Sequence, residues 1–227
     1  VPAGEAVIPD AAFGAASYQP DTDTCWLIRV HVSDDEGVTW RILRRYATKE
    51  TDVDGTTYTK GRLTAAYMGG QLLVVAHLVA SGATWNDVMR QYASGDLGAT
   101  LIKVETQTGA DGSQAGGYPA VVAVQGAFLL VDVQPADKEL EARRLGAAFV
   151  PISQCAVILN FGTWNTNMAS VAAATITDAD LSIAVDDAGI AWVFARCADS
   201  VSTTDNRCVV AVTGDGGQSF DPVGVSP

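Results

Sequence analysis

Apolar residues in this chain come in short runs, each about the length of one strand, with turn-forming residues between them. Residues 25–32 read Cys-Trp-Leu-Ile-Arg-Val-His-Val, and residues 40–46 read Trp-Arg-Ile-Leu-Arg-Arg-Tyr. Residues 71–80 are apolar almost throughout, which suits a strand covered on both faces. The pair Gly69-Gly70 joins them to 62–68 and predicts a hairpin. Runs at 87–93 and 100–106 complete a four-stranded meander, and the Gly-, Ser- and Thr-rich residues 107–117 then form a loop. The pattern restarts with 119–124, a Gln125-Gly126 turn, 127–133 and 138–145. Residues 138–145 also suit a helix, because Glu139, Leu140, Glu141, Ala142 and Arg143 are good helix formers. The recurrence of the pattern favours a strand. Residues 146–152 are expected to give a turn and the outgoing strand, leaving 154–161 as an extra apolar run and 162–174 as an insertion loop. The last unit is 180–185, an Asp186-Asp187-Ala188-Gly189 turn, 190–197, 207–212 and 220–225. Residues 1–24, with Pro2, Pro9 and Pro20, read as a connecting arm with one short strand at 5–9. No stretch sustains helical periodicity with caps.

The turns carry a second pattern. Ser33-Asp34-Asp35-Glu36-Gly37-Val38-Thr39-Trp40 follows the form Ser-x-Asp-x-Gly-x-Thr-Trp between two strand runs. Asp35 is placed to accept hydrogen bonds from its own turn, with Ser33 and Thr39 adding weaker ones. Gly37 permits a positive φ, and Trp40 is expected to fold back under the hairpin as an anchor. Ser94, Asp96, Gly98 and Thr100 repeat the spacing with Leu101 in place of Trp. Thr213, Asp215, Gly217, Ser219 and Phe220 repeat it again with conservative changes. The second gap between these aspartates is about twice the first, as a repeat of ~40–60 residues with one degenerate unit would give.

These three motifs resemble the Asp-box of sialidases and other Asp-box β-propellers. The resemblance implies an all-β chain, a β-propeller or propeller segment of about four blade-like, four-stranded antiparallel meanders. The units fall at roughly 25–60, 61–117, 118–175 and 176–227, after an N-terminal arm at 1–24. In that family the Asp-boxes lie on the outer rim and catalysis uses three arginines, a Tyr with a Glu partner, and an Asp. The Phe/Tyr-Arg-Ile-Pro motif of the first arginine is absent, and none of the ten arginines here sits in that context.

Composition narrows the partners. The chain has 227 residues, 48% hydrophobic and 18% charged, with a net charge of −12. It is long enough for a sizeable core. The acidity argues against a phosphate groove for nucleic acid and against adsorption to an anionic membrane. No run is long and apolar enough to cross a bilayer as a helix, and the polar start Val1-Pro2-Ala3-Gly4-Glu5 has no secretory signal. The chain does not begin with Met, which fits processing, trimming or a fragment. Four cysteines are few for a disulfide scaffold. Cys197 and Cys208 flank a polar loop, and either a cross-hairpin disulfide or two buried thiols fits them. No Cys-x-x-Cys pair suggests zinc, and the Asp52-Asp54-Gly55 turn lacks the later ligands of a calcium loop.

Catalytic patterns are sparse. His31 and His77 each lie inside a strand run and read as core or edge histidines. There is no Gly-x-Ser-x-Gly elbow. Trp85 and Trp164 sit in polar loop sequence, where they either contact a ligand or partner or plug gaps between blades. The expectation is therefore a non-catalytic structural or binding module without cofactor or metal. Its partner would be a glycan or a protein, with homo- or hetero-oligomers possible and no nucleic acid or membrane insertion. The setting would be extracellular, cell-surface or virion. One alternative is a subunit of a viral or phage virion or tail; the other is a sialidase-like glycoside hydrolase.

Overall fold

The structure, a computed structural model, describes residues 8–9, 25–49, 58–80, 88–96, 101–108, 117–134, 139–146, 156–160, 176–199 and 207–226. The described chain is all-β. The first sheet holds β1 (Ile8–Pro9), β2 (Cys25–Val32) and β3 (Arg41–Lys49). Its order is β1-β3-β2, with β1 parallel to β3. Among the described residues this unit holds three strands rather than four, and the short strand expected at 5–9 supplies its parallel edge.

The other three sheets are antiparallel meanders. The second is β4 (Tyr58–Met68), β5 (Gln71–Ala80), β6 (Val88–Ser94) and β7 (Ile102–Thr108), in that order. The third is β8 (Gly117–Val124), β9 (Ala127–Gln134), β10 (Glu139–Leu145) and β11 (Ala156–Asn160). The fourth is β12 (Ile176–Val185), β13 (Ala191–Asp199), β14 (Arg207–Thr213) and β15 (Asp221–Ser226).

Two strand assignments turn on tertiary context. Residues 139–145, with their helix-forming composition, are a strand because β9 and β11 pair with them on both sides. The apolar run that was expected to be surplus is β11, the outgoing strand of the third sheet. A counterpart of the Asp-box turn at 147–152 lies outside the described residues.

The turns follow the glycine chemistry. Gly69 and Gly70 have φ +56° and +88°, the left-handed pair that a two-residue hairpin needs. The Gln125-Gly126 turn uses φ +47° and +74°. Gln125 tolerates that conformation while its side-chain amide donates to the carbonyls of Gly189 at 3.3 Å and Gly214 at 2.9 Å, clasping two turns of the fourth sheet.

The third sheet is the centre of the packing, and its side chains alternate between two neighbours as a period of two requires. Phe128, Leu130 and Val121 pack with Leu73, Val75 and Met89 of the second sheet. Leu129, Val131 and Val124 pack with Ala191, Val193, Ala195 and Ala211 of the fourth. The first strands of the three sheets lie side by side, with β8 between β4 and β12. Together they form an inner wall.

Candidate functional site

The inner wall bounds a cavity of about 430 Å3. Three consecutive residues from each first strand line it: Arg62-Leu63-Thr64, Pro119-Ala120-Val121 and Leu181-Ser182-Ile183. The Val121 backbone N–H donates to Thr64 Oγ1 at 3.2 Å, joining two of these strands.

A charged cluster stands at the edge of this cavity. Asp180 directly precedes the lining segment of β12, and Arg196 is its direct partner across the β12–β13 ladder. Arg196 Nε and Nη2 both donate to Asp180 Oδ2, at 3.0 and 2.7 Å. Arg62, from the second sheet, donates to Asp180 Oδ1 at 3.2 Å. The Arg196 hydrogen bonds, with the charge of Arg196 and the hydrogen bond and charge of Arg62, hold the Asp180 carboxyl below the usual carboxylate range against the opposing effect of burial. Asp180 is thus ionised at neutral pH. In the sequence, Arg62 and Arg196 are two of the ten arginines that lie outside the sialidase motif, and Asp180 starts a strand run. Nothing in their local sequence marks them, because the three meet only when two sheets converge.

A second charged cluster lies on the third sheet. Asp132, fully buried on β9, lies opposite Glu141 in the β9–β10 ladder. Arg143 Nη2 is 3.5 Å from Asp132 and 3.8 Å from Glu141. Burial pushes the Asp132 carboxyl up to about 7; Arg143 pulls against that rise and Glu141 adds to it. His77, also fully buried, lies in the core of β5, whereas His31 is exposed. Among the described residues, no group of three or more His, Cys, Asp or Glu is placed to hold a metal ion.

None of the described motif residues lines the cavity; they build turns. Asp35 Oδ1 accepts from Ser33 Oγ and from the Thr39 N–H, both at 2.8 Å, and Asp35 Oδ2 accepts from Thr39 Oγ1 at 2.5 Å. The Gly37 N–H, at φ +90°, donates to Ser33 Oγ at 2.7 Å. Asp215 repeats this set with Thr213 Oγ1, Ser219 Oγ and the N–H groups of Gln218 and Ser219. The Gly217 N–H donates to Thr213 Oγ1 at 2.8 Å. Ser94 Oγ donates to Asp96 Oδ1 at 2.7 Å, while Gly98 and Thr100 lie outside the described residues. Trp40 departs from expectation: it is 63% exposed, and its indole N–H donates to the Gly37 carbonyl at 3.0 Å. It closes the turn from outside rather than anchoring it from beneath. Phe220 is half-buried against the seam between the third and fourth sheets.

Trp85 and Trp164 lie outside the described residues. Cys197 stands opposite Arg207, and Cys208 opposite Arg196. The two cysteines are one residue away from the directly opposed register of a cross-strand disulfide.

No protein-family profile and no curated protein sequence matches the chain. Solved structures do resemble it. The α-L-arabinofuranosidase of Fusarium graminearum, in complex with an iminosugar inhibitor, superposes with a TM-score of 0.54 at 13% identity, over 87% of this chain and 58% of that one. An exo-β-1,3-galactanase from Phanerochaete chrysosporium gives 0.50 at 9% identity, over 88% of this chain and 43% of that one. This chain therefore spans less than two thirds of either enzyme. Similarity at such identities shows the fold, a β-propeller arrangement of which these sheets form a segment. The expected non-catalytic module is corrected by the same finding, since the structures that resemble the chain are catalytic glycoside hydrolases. The virion or tail alternative gains nothing from it.

Proposed function

We propose that this chain carries the sugar-binding cavity of a β-propeller glycoside hydrolase, with Asp180 as an anionic catalytic carboxylate. The observation that carries the reading is an ionised carboxylate, clamped by Arg196, at the edge of a cavity where three first strands converge. The cavity volume is of the size that takes a small ligand. Glycoside hydrolysis needs a pair of carboxyl groups, one an acid and the other an anion acting as base or nucleophile. The depressed pKa of Asp180 suits the anionic role and is wrong for the acid. The likeness to an arabinofuranosidase and a galactanase supports neutral glycosides as the substrate class.

The finer kinship, with Asp-box propellers, rests on the matching turns at Asp35 and Asp215. The sialidase-like activity that goes with it is the less favoured type. A sialidase holds its substrate carboxylate with arginines, and here Arg62 and Arg196 are both engaged by Asp180. A glycan encountered outside the cell is the partner that accompanies this reading.

The test is a panel of aryl glycosides: an α-L-arabinofuranoside, a β-D-galactoside and a sialoside, each with the wild-type chain and Asp180→Asn. Turnover of a neutral glycoside is expected, with a loss of about 10²–10⁴-fold in the variant and an unchanged melting temperature. Turnover indifferent to Asp180→Asn would remove Asp180 from the reaction. Sialoside turnover alone would restore the sialidase type.

A further inference from the structure

The two arginines on Asp180 are not equivalent. Arg196 is fixed beside it by the β12–β13 ladder and makes two charge-assisted contacts to one oxygen, Oδ2. Arg62 reaches from β4, a strand of a different sheet, and makes a single contact of 3.2 Å to the other oxygen, Oδ1. The side chains of Arg62 and Asp180 are 45% and 58% exposed. A solvent-exposed pair of this kind, held by two side chains from separate elements, contributes little to stability. Arg62 also lines the cavity, so the group that holds Oδ1 is itself exposed to an entering ligand.

We propose that Arg62 is a displaceable latch: an entering neutral sugar takes Asp180 Oδ1 with a hydroxyl in place of Arg62, while Arg196 keeps the carboxylate ionised and aimed. This inference rests on the glycoside reading of the cavity. A sugar hydroxyl donates one hydrogen bond to the vacated oxygen, and the departing Arg62 widens the mouth. Arg196 is then a positioning residue, acting through Asp180. Arg62 selects against ligands that cannot replace its hydrogen bond.

The experiment uses the full chain, with L-arabinose and D-galactose as probes, and measures affinity by calorimetry. Arg62→Ala is expected to bind the favoured sugar about two- to fivefold more tightly, because the competing contact is gone. Arg196→Gln is expected to bind it about tenfold more weakly and to raise the pH at which Asp180 titrates. Arg196→Lys should recover part of both effects. Circular dichroism establishes that each variant is folded. An Arg62→Ala chain that binds as weakly as Arg196→Gln, or with unchanged affinity, overturns the latch. If the wild-type chain binds neither sugar, the glycoside reading fails and guanidinium NMR decides the latch separately. Fast rotation of Arg62 with slow rotation of Arg196 supports it; equal rates overturn it.

Discussion

Two aspartates on this chain titrate in opposite directions, and the cause lies in what each one faces. Asp35 is exposed, and the Thr39 hydroxyl, the Thr39 N–H and Ser33 Oγ pull its carboxyl down to about 2. Its contribution to stability is present above the unfolded carboxylate value of about 3.9 and is lost as pH falls through about 2. Asp132 is buried, and its carboxyl is raised to about 7. Its proton is bound more tightly in the folded state, so stability is full below about pH 4 and falls as pH rises through 7. Asp132→Asn is therefore expected to flatten the stability profile between pH 4 and 7 and to be relatively more stable at pH 8. Urea unfolding across that range checks it; an unchanged slope would assign the pH dependence elsewhere. The turn role of Asp35 was legible from the Ser-x-Asp-x-Gly-x-Thr spacing, because all its partners lie within four residues. Asp132 reads as one more strand residue, because its burial is a product of the folded chain and not of its sequence neighbours.

Turns and strands show the same division at the scale of elements. The hairpins at Gly69-Gly70 and Gln125-Gly126 were expected from the dipeptides, since the positive φ they need is a local demand. The cost of changing a turn glycine depends on its surroundings. Gly126 has φ +74° and open space where a Cβ would stand, whereas a Cβ on Gly217, at φ +94°, would clash with Leu129 Cδ1. Gly126→Ala is expected to cost only the backbone term of about 1–2 kcal/mol. Gly217→Ala adds overpacking of the seam, for a total on the order of 3 kcal/mol. Equal losses for the two variants in chemical denaturation would show that the seam yields at no cost. Strand β10 makes the complementary point. Glu139, Leu140, Glu141, Ala142 and Arg143 favour a helix by intrinsic propensity, and pairing to β9 and β11 overrides it.

At the scale of the molecule, the third sheet transmits stability in both directions. Leu129 and Phe128 are adjacent and both fully buried, yet they join different clusters, one shared with the fourth sheet and one with the second. Leu129→Ala is expected to cost about 2–5 kcal/mol and Phe128→Ala about 3–5 kcal/mol. Both should shift a single transition followed by far-ultraviolet circular dichroism. Two separated transitions in either variant would mean that the sheets unfold independently. By contrast, Ile102→Ala, on a largely exposed side chain, should change stability by no more than about 0.5 kcal/mol.

The sequence by itself determined what depends on near neighbours. It set the all-β class and, apart from the surplus run that became β11, most of the strands. It also set the glycine hairpins and the hydrogen-bonded turns at Asp35 and Asp215, whose partners are all a few residues away. Only the tertiary structure decided which strands lie side by side along the cavity, that 156–160 completes the third sheet, and that Asp132 is buried. It alone placed Arg62 on Asp180, residues separated by 118 positions. Local spacing specifies a turn because the turn contains its own partners. A site assembled from the first strands of separate sheets leaves no such trace in any one of them.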